Sequence, residues 1–198
     1  NAFSTNDAGA FTNTVFAIGP EGLARYDKKH LVPFGEFVPT GFHAFVAALS
    51  IPMTDLAHGD RPREMVIGGQ LFSLSLCYEN LFPDDWFEDT HASGALLNLT
   101  NLKWFHSEAA VASHVAISRM RAIESARPLV YAANHAGTCV IDEKGEVIAK
   151  LSAPGILEAR LKTRLTEPTP FMRLGYLPTL LLSVLALGAL ALRRRRYN

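Results

Sequence analysis

The C-terminal end of the chain contains the feature that most restricts its fold, an uncharged stretch at residues 174–192 followed directly by arginines at 193–196. As an α-helix this stretch would extend roughly 28 Å, close to the ~30 Å hydrocarbon thickness of a bilayer. We therefore predict a transmembrane helix at 174–192, a linker at 166–173 and a basic tail at 193–198. The positive-inside rule puts the tail in the cytoplasm and the body on the other side of the membrane. A buried core helix is the alternative.

The overall charge is neutral, with 19 Lys and Arg against 19 Asp and Glu, but the two signs are distributed unevenly. Because the arginine run holds four of the basic residues, the body before it carries a net charge of about −4. An acidic body with no basic stripe argues against a nucleic-acid partner. Two cysteines are too few for a disulfide scaffold, and the scattered histidines lead us to expect neither a metal site nor a cofactor.

Strand and helix signals alternate through residues 1–165, which we predict to form one domain. Glycine-containing turns at 19–22 and 68–69 predict two hairpins. Further strands are predicted at 95–99, 129–133, 138–141, 147–150 and 156–159. The longest soluble helix is predicted at 107–127, with an apolar face of Val111, Val115, Met120 and Ile123. This order predicts an α/β fold, either one sheet covered by helices or two sheets stacked between helix layers.

Residues 42–53 (FHAFVAALSIPM) form an apolar segment that allows two interpretations. It is either an arm that enters lipid or a short amphipathic helix packed on the sheet.

Cys77 follows the apolar strand predicted at 71–76. A cysteine at the end of a buried strand can present its sulfur at the sheet edge, which is a position suited to a nucleophile. A buried core thiol is the alternative. We expect Cys139, inside a predicted strand, to be a core thiol that forms no disulfide with Cys77.

The loop at 25–39 combines lysines, a glutamate, aromatic residues and two prolines. Pro33 and Pro39 restrict φ and stiffen the loop around Glu36. A lysine placed near a thiol would stabilise both the thiolate and the oxyanion of a tetrahedral intermediate. A solvated surface loop is the alternative, and it explains the prolines and aromatic residues poorly.

Three strings together, 26–39 (YDKKHLVPFGEFVP), 77–79 (CYE) and 120–128 (MRAIESARP), resemble the nitrilase superfamily and, within it, the apolipoprotein N-acyltransferases. The resemblance implies an α-β-β-α sandwich followed by a transmembrane helix, and a Glu-Lys-Cys triad. By position, Cys77 corresponds to the nucleophile, Lys28 to the catalytic lysine and Glu36 to an additional essential glutamate. Supporting or substrate-binding positions are implied for Tyr78, Glu79, Asn101, Trp104 and Phe105.

The resemblance also implies a glutamate general base well upstream of the lysine. The carboxylates before Lys28 are Asp7, Glu21 and Asp27, and none has the expected position. We therefore expect that the base belongs to an N-terminal part absent from this chain, that the sandwich is incomplete at its N-terminus, and that the chain is inactive alone.

The implied reaction moves a fatty acyl group from a phospholipid, through a thioester on Cys77, to the α-amino group of diacylglyceryl-cysteine in an apolipoprotein. The implied location is the periplasmic side of the bacterial inner membrane, and the implied partners are the phospholipid donor and the apolipoprotein acceptor. Two alternatives remain open: a nitrilase-type amidohydrolase, and a catalytically inert, membrane-tethered interaction domain.

Overall fold

The structure is a computed structural model that describes residues 2–49, 55–88, 90, 92–103, 107–134, 136–163 and 167–195. Its strands are β1 (Ala2–Thr5), β2 (Phe11–Gly19), β3 (Gly22–Asp27), β4 (Glu64–Ile67), β5 (Gln70–Leu76), β6 (Ala95–Thr100), β7 (Leu129–Ala133), β8 (Cys139–Ile141) and β9 (Val147–Lys150). Its α-helices are α1 (His43–Ala48), α2 (Pro83–Glu88), α3 (Glu108–Ser125), α4 (Pro170–Leu174) and α5 (Leu177–Arg195), and a 3-10 helix covers Cys77–Leu81.

Both predicted hairpins are confirmed. Strands β2 and β3 pair antiparallel with Gly19 opposite Gly22, and β4 pairs antiparallel with β5 around Gly68 and Gly69. Gly68 and Gly69 both have positive φ, at 58° and 76°, which a two-residue turn between twisted antiparallel strands requires. Local turn chemistry therefore determines both connections.

In the described part of the chain, the strands form two sheets. The first is antiparallel with the order β1-β2-β3, and the second has the order β4-β5-β6-β7-β8-β9. Strands β5, β6 and β7 run parallel at the centre of the second sheet. The two sheets pack through a buried apolar cluster in which Val15 and Tyr26 of the first sheet meet Met65, Leu74 and Leu76 of the second. This contact brings the end of β3 close to the end of β5.

Helices cover the opposite face of the second sheet. A second buried cluster joins Trp86 and Phe87 of α2 to Leu96, Leu129 and further residues of strands β6 to β8. The described residues thus form a sheet–sheet–helix stack, three of the four layers of the predicted sandwich. On the first sheet, Phe16, Ile18 and Leu23 have exposed side chains.

The long helix is confirmed, and its predicted apolar face is confirmed in part, since Val115 packs on the core cluster. The C-terminal half of that face is wrong. Met120 and Ile123 of α3 are exposed, whereas Arg121 is buried. Burial of that guanidinium is possible because its Nε lies 2.9 Å from the carboxylate of Glu124. Pairing with a carboxylate, which apolar periodicity does not register, decides which side of α3 faces the protein.

The strand predicted at 156–159 is wrong, since these residues form no strand in the structure. In the apolar segment at 42–53, helix α1 covers His43–Ala48, with Val46 buried and Phe42, Phe45 and Leu49 exposed. Residues 50–53 lie outside the described residues.

The C-terminal region departs from the prediction. In the predicted linker, α4 packs on the core through Phe171 and Met172. Gly175, with φ 52°, separates α4 from α5. The uncharged part of α5 is therefore only residues 177–192, roughly 24 Å against a hydrocarbon thickness of ~30 Å. Among the described residues, no helix has the length and apolar character needed to cross a bilayer, so the predicted span at 174–192 is not found. The predicted tail begins as the last turn of α5, and residues 196–198 lie outside the described residues.

Candidate active site

Cys77 lies where β5 ends and the 3-10 helix begins. Its φ of 50° is left-handed, an uncommon conformation for a residue other than glycine. The thiol is half-buried and unpaired with any other cysteine. Leu76, the preceding residue, pairs with Leu99 of the parallel strand β6, so Cys77 lies at the carboxyl edge of the sheet, where ligands commonly bind in α/β folds. A strained, accessible thiol at this edge is a candidate nucleophile.

Lys28 follows the last residue of β3 and is almost completely buried, with 1% exposure. Its Nζ lies 2.6 Å from Oε2 of Glu36, a short charge-assisted hydrogen bond. Its backbone N–H donates to the carbonyl of Asn13 on β2. The lysine is thus held at both ends by neighbouring elements.

Glu36 is positioned by the loop itself and by the first sheet. Its Oε2 also accepts the backbone N–H of Val32 at 2.8 Å, and its Oε1 accepts the amide of Asn13 at 2.8 Å. Both carboxylate oxygens are therefore engaged, which holds the Glu36 side chain in one orientation beside Lys28 Nζ.

These groups open into one cavity of about 530 Å³. Its lining brings together Asn13, Lys28, Glu36, Cys77 and Asn101 with apolar residues that include Phe3, Leu76 and Leu99. A thiol, an ammonium and a carboxylate around one apolar cavity can support nucleophilic attack on a carbonyl group, with the cation stabilising the developing oxyanion.

Glu79 serves a different purpose from the cavity residues. It is 1% exposed and is not among the residues that line the cavity. Its carboxylate accepts the backbone N–H groups of Leu76, Lys29 and His30 at 2.7 to 3.0 Å. It therefore ties the turn that carries Cys77 to the loop that carries Lys28.

Tyr26 and Arg63 complete the environment of Glu79. The Tyr26 hydroxyl donates to both carboxylate oxygens, at 2.8 and 2.9 Å, and Arg63 Nη1 lies 3.1 Å from Oε1. Burial raises the pKa of Tyr26 far above its ordinary value, and the adjacent Glu79 charge adds to the rise. The phenol consequently stays protonated and acts as a donor.

The remaining predicted site residues are distributed differently. Asn101 lines the cavity and is exposed. The ring of Tyr78 packs edge-on against Phe82, with centroids 5.0 Å apart, and does not line the cavity. Trp104 and Phe105 lie outside the described residues. Among the described residues, no three His, Cys, Asp or Glu side chains gather as a metal site.

Sequence reasoning missed Asn13 and Arg63. The alternation of side chains along β2 could have predicted the position of Asn13. Asn13 and Val15 share the face of β2 that turns toward the second sheet. Arg63 precedes β4 in an irregular segment, where no local pattern indicates that a guanidinium is buried.

The chain belongs to the carbon-nitrogen hydrolase family, whose model matches residues 2–170. Its relatives include the apolipoprotein N-acyltransferase of Ralstonia nicotianae, 40% identical over 98% of this chain and 39% of the relative. That of Bordetella bronchiseptica is 41% identical over 87% of this chain and 33% of the relative. The chain thus spans between a third and two fifths of the length of these relatives.

Solved structures show the same fold. Nit3 of Saccharomyces cerevisiae, a member of branch 10 of the nitrilase superfamily, matches with a TM-score of 0.54 at 14% identity, over 75% of this chain and 52% of that one. A carbon-nitrogen hydrolase of Helicobacter pylori matches with a TM-score of 0.54 at 16% identity, over 76% of this chain and 56% of that one. The described residues therefore form part of a nitrilase-superfamily α/β fold.

Proposed function

We propose that this chain carries the acyl-transfer site of an apolipoprotein N-acyltransferase. The observation that supports this most directly is the convergence of Cys77, Lys28 and Glu36 on one apolar cavity, together with the match to relatives of that name. The apolar part of the lining, which includes Phe3, Leu76 and Leu99, suits a fatty acyl chain, and the thiol and amine beside it are groups that acyl transfer can use.

In the proposed first step, the Cys77 thiolate attacks the ester carbonyl of a membrane phospholipid. The ammonium of Lys28 stabilises the negative charge on the carbonyl oxygen of the tetrahedral intermediate. The ester C–O bond breaks, the departing alkoxide takes a proton, and a lysophospholipid leaves. The acyl group remains as a thioester on Cys77.

In the second step, the α-amino group of a diacylglyceryl-cysteine attacks the thioester carbonyl. An amide bond forms, the C–S bond breaks and the Cys77 thiolate is regenerated. The amine must lose a proton during attack, and a positioned general base supplies ~10²–10⁴ in rate.

We assign the proton-accepting role to a glutamate outside these residues, so that the chain would be inactive alone. The three carboxylates that precede Lys28 in the sequence interact with groups outside the Cys77 cavity. Glu21 accepts the backbone N–H of Gly69, Asp27 pairs with Arg25, and Asp7 is exposed near Arg61. Glu36 is occupied by Lys28, Asn13 and the Val32 N–H, and we assign it to holding the lysine.

The proposed substrates place the reaction at a membrane surface, on the periplasmic side of the bacterial inner membrane. The exposed leucines of α5, the exposed Phe42 directly before α1 and the exposed Phe45 within α1 support contact between this protein and lipid. Two lipid substrates require an active site that opens toward the bilayer.

The test is acyl-thioester trapping in the full-length protein. A phospholipid with a radiolabelled acyl chain should transfer label to the protein, and a diacylglyceryl-cysteine peptide should then remove the label as an N-acyl product. Cys77→Ser should abolish labelling, whereas the matched Cys139→Ser should retain it. Label that persists in Cys77→Ser would refute the proposal.

A nitrilase-type amidohydrolase is the second candidate, because the family model is that of carbon-nitrogen hydrolases. In that case water would be the acceptor. Release of a carboxylic acid and an amine from an amide substrate, with no label transferred from phospholipid to the peptide, would favour this activity. Absence of any label on the wild-type protein would favour an inert, membrane-tethered domain.

A further inference from the structure

The buried guanidinium of Arg63 is the part of this region that the proposed reaction does not explain. Arg63 is 1% exposed and lies immediately before β4, where its carbonyl accepts the backbone N–H of Leu74 on β5. Its side chain is thus anchored in the second sheet. The guanidinium reaches across to the first sheet, with Nη1 2.5 Å from the hydroxyl of Tyr26.

The same nitrogen of Arg63 lies 3.1 Å from Glu79, and the guanidinium carbon stands 5.6 Å from the centre of the Tyr26 ring. A charged group removed from water is tolerated only where a counter-charge and hydrogen bonds replace the lost solvation. Arg63 supplies that counter-charge to the Glu79 carboxylate.

Glu79 in turn holds the two halves of the candidate site together. One of its oxygens accepts the N–H of Leu76, next to the nucleophile, and the other accepts the N–H groups of Lys29 and His30, next to the lysine. Without a cation beside it, this buried charge would lack compensation, and the carboxylate would turn toward water. That movement would weaken its hold on the backbone N–H groups.

We propose that Arg63 is a positioning residue that, through Glu79, sets the separation between Lys28 and Cys77. The proposal rests on the proposed thiol chemistry of Cys77, but not on the identity of the acyl donor or acceptor. Arg63 is not among the residues that line the cavity, and its guanidinium reaches the candidate site through Tyr26 and Glu79.

The experiment measures alkylation of Cys77 by iodoacetamide in the full-length protein, followed by mass spectrometry of the peptide that contains Cys77, in a Cys139→Ser background that removes the other thiol of this chain. We expect Arg63→Met to slow alkylation by about tenfold to 100-fold, because small displacements of reacting groups have effects of that size. Arg63→Lys, which keeps a positive charge that can donate to both partners, should recover most of the rate. The proposal would be overturned if Cys77 were alkylated at the wild-type rate in Arg63→Met. It would also be overturned if a folded Arg63→Lys variant recovered none of the rate.

A double-variant cycle separates positioning from general structural damage. Glu79→Gln removes the charge that Arg63 neutralises, so adding Arg63→Met to Glu79→Gln should slow alkylation by less than about twofold further. If Arg63→Met and Glu79→Gln slowed alkylation independently, so that their two factors multiplied in the double variant, the proposed pathway would be contradicted. If Arg63→Met alone fails to fold, the double variant should fold again because no unpaired charge remains, and failure to do so would also contradict it.

Thioester trapping distinguishes this proposal from the proposed function. If phospholipid leaves no label on the wild-type protein while alkylation still depends on Arg63, the acyltransferase function fails and the positioning role stands. If Arg63→Met forms the thioester at the wild-type rate, the positioning role fails and the function stands.

Discussion

Two cavities of nearly equal size differ in the charged side chains that line them. The cavity beside Cys77 measures about 530 Å³, and a second cavity, formed by parts of residues 130–140 and 151–157, measures about 510 Å³. We call the second the β7–β8 cavity. The first gathers a lysine, a glutamate and two asparagines around a thiol. Among the described residues that line the β7–β8 cavity, none is Asp, Glu, Lys, Arg or His.

The difference shows that volume alone does not define a site. The Cys77 cavity lies where two sheets meet, so side chains from β2, the lysine loop and the carboxyl edge of β5 and β6 converge. The β7–β8 cavity lies on strands and loops of the second sheet alone. Convergent polar groups from several elements are what make a cavity chemically competent.

The largest expected effect comes from removing the cation of the Cys77 cavity. Lys28→Met should slow formation of the acyl-thioester by about 10²–10³-fold, the effect of losing one oxyanion-stabilising group. Lys150→Met changes an exposed lysine next to the β7–β8 cavity and should leave the rate within about twofold. If Lys28→Met and Lys150→Met slowed acyl-thioester formation equally, the two cavities would not differ in the way described.

The buried Cys139 thiol should react far more slowly than the accessible Cys77 thiol. Burial raises the pKa of Cys139 to about 11. At pH 8 its thiolate fraction is then roughly one in a thousand, against about one in four for an ordinary thiol. Mass spectrometry after brief alkylation at pH 8 should find label on Cys77 and little on Cys139, and labelling of Cys139 should rise toward pH 11. Similar labelling of both thiols at pH 8 would be inconsistent with the structure.

The backbone under the Cys77 cavity should tolerate less change than that of the other cavity. A Cβ on Gly59 would lie 2.0 Å from the carbonyl oxygen of Asp27, and the Gly59 N–H donates to the carbonyl of Lys28. Gly59→Ala should therefore lower the free energy of unfolding by about 1–3 kcal/mol. In the β7–β8 cavity, the atoms nearest to a Cβ on Gly155 are 3.9 Å away. Gly155→Ala should therefore change the free energy of unfolding by less than ~0.5 kcal/mol. Denaturant unfolding measures both, and a stable Gly59→Ala would show that the loop rearranges.

The smallest effect concerns the residue that orients Glu36. Asn13→Ala removes the amide that donates to Oε1 of Glu36 and should slow thioester formation about tenfold, in line with the ~1.5–3 kcal/mol of a hydrogen bond to a charged group. Ser152→Ala, an exposed polar residue in the lining of the β7–β8 cavity, is the matched control and should leave the rate unchanged. A wild-type rate in Asn13→Ala would mean that Lys28 and the Val32 N–H hold Glu36 without it.

The features that followed from short segments of sequence were predicted well. Both hairpins and the strand at β6 have the expected place, because paired glycines and short apolar runs act within a few residues. The local strings around Lys28, Glu36 and Cys77 likewise selected three residues that the structure brings to one cavity.

Some errors arose where side-chain pairing or backbone conformation overrules apolar periodicity, and others where the contact joins residues distant in sequence. Periodicity placed Met120 and Ile123 inside, but pairing with Glu124 buries Arg121 instead. The apolar run at 174–192 was read as one helix, whereas the chain breaks at Gly175 and α4 packs on the core. Asn13 meets Glu36 across 23 positions and Arg63 meets Tyr26 across 37, separations at which a single sequence contains no pairing signal.

The sequence by itself determined the turns, most strands and the candidate reactive groups, because these depend on side-chain chemistry and backbone preference over a few residues. Only the tertiary structure decided which groups share a cavity. It also decided that Glu79 is buried, connects the two backbone segments of the site and pairs with Arg63. Those outcomes depend on how two sheets pack, and the free energy of a buried ion pair or hydrogen bond exists only once distant segments have excluded water from between them.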